Sequence, residues 1–134
     1  MTSGELVVQA GLHSNAASWV LIPITLNGLH SLSMVLDTGA PVSEISPDTA
    51  AELSGLGLLK EPVKPRYHHR LEDITTTQGQ SLPPLDIVVL PRLARMKAVG
   101  IEVMGLLGLD FLILFASVCY DVDARRLVLT PRVG

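Results

Sequence analysis

Aromatic residues are scarce in this chain of 134 residues, which has one Trp, two Tyr and two Phe. Apolar residues nevertheless make up 48% of it, so any core must be aliphatic, built from Leu, Val, Ile, Ala and Met. A single cysteine, Cys119, excludes an intrachain disulfide framework and a cysteine-based zinc site. Charge is sparse too, at 17% of residues against roughly 25% in an average domain, a composition that argues against disorder. The formal net charge is −3, and without a basic excess the electrostatic footprint of a nucleic-acid or anionic-membrane binder is missing. Met1 to Glu5 carry no positive charge that would begin a leader, so a cytoplasmic protein is expected. The longest apolar stretch, Met104 to Tyr120, falls short of the ~18 uninterrupted residues of a spanning helix and contains Asp110. It reads as a buried core segment, and no membrane partner is expected.

Eleven Gly and nine Pro suit a turn-rich β protein of one domain, residues 1–134. Leu6 to Ala10 reads as a first strand. Val20 to Leu26 and Leu29 to Leu36 flank Asn27-Gly28, a pair that tolerates the positive φ of a type I′ hairpin turn. Ser46-Pro47-Asp48 before Thr49-Ala50-Ala51-Glu52-Leu53 predicts a short helix capped by Ser46 and ended by Gly55 and Gly57. Lys60 to Arg70 is basic, Pro-rich and aperiodic, hence a surface loop, and Thr75 to Ser81 reads as an exposed hairpin. Asp86 to Leu90 and Val99 to Val103 are expected strands joined by an irregular Pro91 to Lys97. Leu109 to Phe115 is a possible second helix. Ser117 to Asp121 and Leu127 to Leu129 form a last hairpin around Asp123 to Arg126.

Two segments carry chemistry. An apolar strand runs into Asp37-Thr38-Gly39-Ala40, and Leu106-Leu107-Gly108-Leu109-Asp110-Phe111-Leu112 follows far downstream. Asp-Thr-Gly alone is also the composition of an ordinary Asp-capped turn. Together the pair resembles the retropepsin-like aspartic proteases, and the distal segment is similar to the retroviral-protease-like domain of DNA-damage-inducible proteins. The resemblance, from about Trp19 to Thr130, implies a mostly β fold, a retropepsin-like closed barrel or sandwich with one or two short helices. It implies peptide hydrolysis by two carboxylates that share one proton, one activating water and the other donating to the scissile carbonyl, most active in acid to mildly acidic solution. The chain has one Asp-Thr-Gly, so the resemblance implies a homodimer with Asp37 of each copy meeting on the two-fold axis. Thr38 would hydrogen-bond to the partner's loop, Gly39 would let backbone come close, and Ala40 would be small where substrate passes. Gly108 would allow the distal strand to pack behind the loop, and Asp110 would cap the following helix rather than act as catalyst.

A flap is implied as well, and the candidates are Thr76, Thr77, Gln78, Gly79 and Gln80, with Gly79 at the tip. The first and last strands would interleave at the dimer interface. No metal or organic cofactor is implied. His68-His69 and the two basic clusters, Lys64/Arg66/Arg70 and Arg92/Arg95/Lys97, read as solvated loops, Cys119 as a buried inert thiol, and Trp19 as a core or interface anchor. The expected function is an aspartic endopeptidase acting on peptide or protein substrates. The alternative is a catalytically inactive retropepsin-fold dimer that binds peptides or partner chains.

Overall fold

The structure, a computed structural model, describes residues 4–12 and 19–133. Local sequence dictates its central hairpin. β3 (Val20–Leu26) and β4 (His30–Leu36) are antiparallel, and Asn27 and Gly28 between them adopt φ of 54° and 69°, as the turn requires. Alternation on β3 sends Ile22, Ile24 and Leu26 into the core. The outer edge of β3 is shared by β2 (Gly11–Leu12), which pairs with Val20 and Leu21, and β7 (Ile74–Thr75), which pairs with Thr25 and Leu26. Pro23, which has no N–H to give a ladder, lies in the gap between them.

Among the described residues the main sheet runs β6 (His69–Leu71), β9 (Leu85–Val89), β5 (Glu44–Ile45), β10 (Gly105–Leu107), β4, β3, β7, β8 (Ser81–Leu82), with β2 also on β3. It curls into a half-barrel whose end strands do not pair, so the expected closed barrel is open. β10 is inserted between β4, to which it is parallel, and β5, to which it is antiparallel. The connection from β4 to β5, residues 37–43, must therefore cross over the end of β10. A second sheet of β1 (Leu6–Gln9), β12 (Arg126–Pro131) and β11 (Phe115–Asp121) carries the chain ends. The first and last strands, expected to interleave between two copies, pair here within one chain, Leu6 opposite Leu129.

Three helices are present among the described residues, one more than the upper expectation. α1 (Pro47–Gly55) starts as the sequence reads, with Ser46 Oγ accepting from Thr49 N at 3.1 Å. α2 (Arg92–Ala98) replaces the expected irregular connection. Its residues are strong helix formers, but Pro91 at its start provides no side-chain cap, so the usual start signal is missing. α3 (Leu109–Leu112) is a single turn. The expected strand over Val99 to Val103 does not form, because Gly100, at φ 87°, turns the chain back and Ile101 N donates to Met96 O.

The core is aliphatic as composition demands, joined by Phe111 and Phe115, whose rings lie 5.3 Å apart. A smaller cluster of Val35, Ala40, Leu93, Val103 and Leu106 fills the space between the β4 end and α2. Cys119 is exposed rather than buried, since β11 is the edge of its sheet and most of its residues face outward. No helix among the described residues is long and apolar enough to cross a membrane.

Candidate active site

Asp37 follows the last residue of β4 and is fixed by its backbone on both sides. Its N–H donates to Leu107 O at 2.9 Å, and Ala40 N donates to its carbonyl at 3.2 Å. Its carboxylate Oδ1 accepts from Gly39 N at 2.9 Å, a side-chain turn that aims the carboxylate. A Cβ on residue 39 would stand 3.2 Å from that oxygen, so Gly39 keeps the carboxylate uncrowded. Asp37 is half-buried, while Thr38 and Gly39 are exposed. Thr38 makes no side-chain hydrogen bond with the described residues of its own chain.

Ala40 differs from the expectation that it lines the substrate path. It is buried in the smaller cluster, where its carbonyl accepts from Leu109 N at 2.8 Å. Its small size answers to packing against β10 and α2.

Gly108 sits where the 37–43 connection crosses the end of β10. A Cβ there would meet Ala40 O at 2.6 Å, Val42 O at 2.8 Å and the Val42 carbonyl carbon at 2.9 Å, all of them backbone atoms. The N-cap position of α3 is Gly108, which has no side chain, and Asp110, two residues on, does part of the expected capping, its Oδ1 accepting from the first-turn Phe111 N at 2.8 Å. Asp110 also reaches back across the chain. Its two oxygens accept from Ser43 N at 2.9 Å and Ser43 Oγ at 2.6 Å, and Ser43 Oγ accepts in turn from Gly108 N at 2.9 Å. Ser43 is fully buried, so these bonds are made without competition from water. The sequence offers no local cue for Ser43, because its partners lie 65 and 67 residues downstream.

The hairpin of β7 and β8 forms, with Gly79 at φ 82° and Thr76 N bonded to Gln80 O. It does not bring Thr76, Thr77, Gln78, Gly79 and Gln80 over Asp37. β7 pairs at the closed end of the β3–β4 hairpin, whereas Asp37 leaves the open end, where Val35 pairs with Leu21. At about 3.3 Å per residue and 4.8 Å per strand, the tip stays more than about 10 Å from Asp37, with β3 in between. Thr76 is buried and serves its own turn, its Oγ1 accepting from Gln78 N and Gln80 N.

The Lys60–Arg70 loop is the one that reaches the residues behind Asp37. It is closed by reciprocal backbone bonds between Lys60 and Arg70, and Tyr67 OH donates to Asp110 Oδ2 at 3.1 Å. Burial first, then the Asp110 charge and this hydrogen bond, raise the Tyr67 hydroxyl above its ordinary range. The base of the loop is held by Asp86, a buried carboxylate accepting from Val63 N, Lys64 N and Arg70 Nη1. Burial opposes ionisation of Asp86, but the Lys64, Arg70 and Val63 bonds with the Arg70 charge outweigh it and hold the carboxyl below its usual value. His68 is exposed, as expected, and its Nδ1 accepts from Val89 N at 2.9 Å.

A cleft of about 300 Å³ opens beside Asp37, lined by Trp19, Val35, Leu36 and Leu106 and, from α2, by Arg92 and Met96. Arg92, expected in a solvated loop, donates from Nε to Glu44 Oε1 at 2.7 Å. The Glu44 side chain is 1% exposed and that of Arg92 47%. The Glu44 hydrogen bond, opposed by burial and helped by the charges of Glu44 and Asp37, raises the guanidinium above its ordinary value. A buried carboxylate is tolerated only when paired, so Glu44 fixes where Arg92 sits.

No protein-family model and no curated protein matches the chain. Solved structures do. A retropepsin-like aspartic protease from Rickettsia conorii superposes with a TM-score of 0.55 at 15% identity, covering 97% of this chain and 92% of its own. The retroviral protease-like domain of Ddi1 from Leishmania major gives 0.50 at 14% identity, over 85% of this chain and 98% of that one. At such identity the likeness is one of fold.

Proposed function

Starting from this retropepsin-like fold, we propose that the chain is an aspartic endopeptidase that works as a homodimer. The observation that carries the proposal is the placement of Asp37. Its carboxylate is partly exposed, aimed by Gly39 N, set on a loop locked from behind by Ser43, Gly108 and Asp110, and adjoined by an apolar cleft. One such carboxylate is half of a dyad. Two copies related by a two-fold axis through this loop supply the other half, with Asp37 of each copy sharing a proton. The ionised member takes a proton from water as it attacks the scissile carbonyl carbon, and the protonated member donates to the carbonyl oxygen. The exposed Thr38 hydroxyl, free of partners among the described residues of its own chain, is available to bond the partner's loop. Substrate lies extended between the copies, its side chains alternating into clefts such as the one lined by Leu106 and Met96.

Incubation of the purified protein with a peptide library, read by mass spectrometry, tests the reading. Asp37→Asn is expected to lower cleavage by at least about a thousandfold while leaving thermal midpoint and sedimentation as a dimer intact. An active Asp37→Asn protein moves the chemistry elsewhere, and turnover equal at about pH 5 and pH 9 speaks against a shared proton. A second reading, a retropepsin-fold dimer that binds peptides without cleaving them, is favoured by the position of the β7–β8 hairpin, which does not close over Asp37. Retention of library peptides without cleavage is its expected signature.

A further inference from the structure

The cleft beside Asp37 has walls of one kind and a rim of another. Trp19, Val35, Leu106 and Met96 are apolar, and Arg92 brings a guanidinium to the same space. Arg92 is spoken for only through Nε, which Glu44 holds. Its four remaining N–H groups, on Nη1 and Nη2, make no hydrogen bond with the described residues, and the side chain is 47% exposed. The guanidinium is thus anchored at one corner and presents unused donors beside the carboxylate.

We infer that Arg92 selects the substrate residue next to the scissile bond, and that the side chain it selects is a neutral one with an apolar stem and a hydrogen-bond acceptor at its tip, glutamine above all. This rests on Asp37 being the catalytic carboxylate. Three kinds of occupant compete for the cleft. An aliphatic or aromatic side chain satisfies the walls but displaces water from the Arg92 donors and returns no bond. A carboxylate finds those donors, yet the Arg92 charge is already balanced by the buried Glu44, and Asp37 adds a second negative charge to the same cleft. An amide carbonyl accepts from Nη1 or Nη2 at no cost in charge, and two methylenes lie along Leu106 and Met96. The partial exposure of Arg92 keeps the discrimination modest, about tenfold. In a two-fold dimer each copy brings the same cleft, so the preference applies on both sides of the cleaved bond.

The experiment compares peptides that differ only in having Gln, Met or Glu at that position, assayed by kcat/KM. The protein is expected to prefer Gln over both Met and Glu by about tenfold. Arg92→Met is expected to bring the Gln-to-Met ratio to about one, and Arg92→Lys to retain part of it. Because Arg92→Met leaves Glu44 buried and unpaired, the double variant Glu44→Gln/Arg92→Met provides the same readout if the single variant does not fold. Met at or above Gln, Glu above Gln, or a ratio that survives loss of Arg92 overturns the inference. An equal loss on all three peptides shows Arg92 to be structural only, which also overturns it. Binding of the same labelled peptides to the Asp37→Asn protein, read by fluorescence anisotropy, separates this inference from the endopeptidase reading. Ordered binding without cleavage by the parent protein removes only that reading, and flat or absent binding removes the inference.

Discussion

Gly108→Ala is the sharpest test of how the candidate site is built. The backbone at Gly108, with φ −94° and ψ −168°, is extended and open to any residue, so the expected penalty is purely one of space. The added methyl would stand 2.6 Å from Ala40 O and 2.8 Å from Val42 O, and ordinary contact at 3.4 Å requires them to retreat by about 0.8 Å and 0.6 Å. Neither can do so freely. Ala40 O is bonded to Leu109 N at 2.8 Å, Ala40 N to Asp37 O, and Gly108 N to Ser43 Oγ at 2.9 Å. Overpacking of this kind costs about 1–3 kcal/mol, and loss of one of these bonds adds about 1 kcal/mol, for a total near 3 kcal/mol. In a domain of this size that lowers the midpoint of thermal unfolding, followed by circular dichroism, by about 10 °C. Cleavage should fall further than stability, because Ala40 moves and Asp37 is bonded to it. Gly55→Ala is the control. No atom lies within 4 Å of its added methyl, and it ends a helix, so the midpoint should hold or rise slightly. A Gly108→Ala protein that melts within about 2 °C of the parent would refute the steric reasoning.

Two further outcomes follow from the buried carboxylates. Asp86→Asn leaves Arg70 unpaired at the base of the Lys60–Arg70 loop and is expected to cost about 3 kcal/mol in urea unfolding. Since the folded state lowers the Asp86 carboxyl, its contribution is complete above the ordinary value of 3.8 and is lost as pH falls through the lower, folded one. Stability measured from pH 5 downward should therefore fall more steeply in the parent than in Asp86→Asn, and identical slopes would count against the pairing. Asp110→Ala removes the acceptors of Ser43, Tyr67 and Phe111 N and should cost about 2–4 kcal/mol, whereas Asp110→Asn keeps an acceptor and should lose about 1 kcal/mol. Peptide cleavage that survives in Asp110→Asn confirms that Asp110 positions the loop, and its disappearance with fold intact would make Asp110 a reacting group.

What the sequence revealed was whatever its neighbours in the chain decide. Asn27-Gly28 set the central hairpin, Ser46-Pro47 started α1, and the last hairpin formed around the turn at Arg125, whose φ is 52°. Asp37 and Gly108 were legible as motifs. What escaped depends on contacts distant in sequence. Ser43 and Glu44 read as ordinary polar residues until Asp110 and Arg92 are seen to hold them in the interior. α2 lacks a capping side chain, and it rests on the packing of Leu93 into the smaller cluster. The β7–β8 hairpin was foreseen as a hairpin, but its pairing with β3, a property of the sheet, decides that it stands away from Asp37.

The insertion of β10 between β4 and β5 also imposes an order of assembly. Residues 20–45 contain both outer strands and the turn bonds from Gly39 N and Ala40 N to Asp37, yet the Asp37 N–H partner is Leu107 and the anchors of Ser43 are Gly108 and Asp110. During synthesis the Asp37 loop emerges early and stays without its ladder until three residues some seventy positions later slide in beside it. The lock behind Asp37 is thus completed only when β10 is in place, and a chain stopped short of Gly105 carries the complete Asp-Thr-Gly sequence without the ladder that fixes its loop.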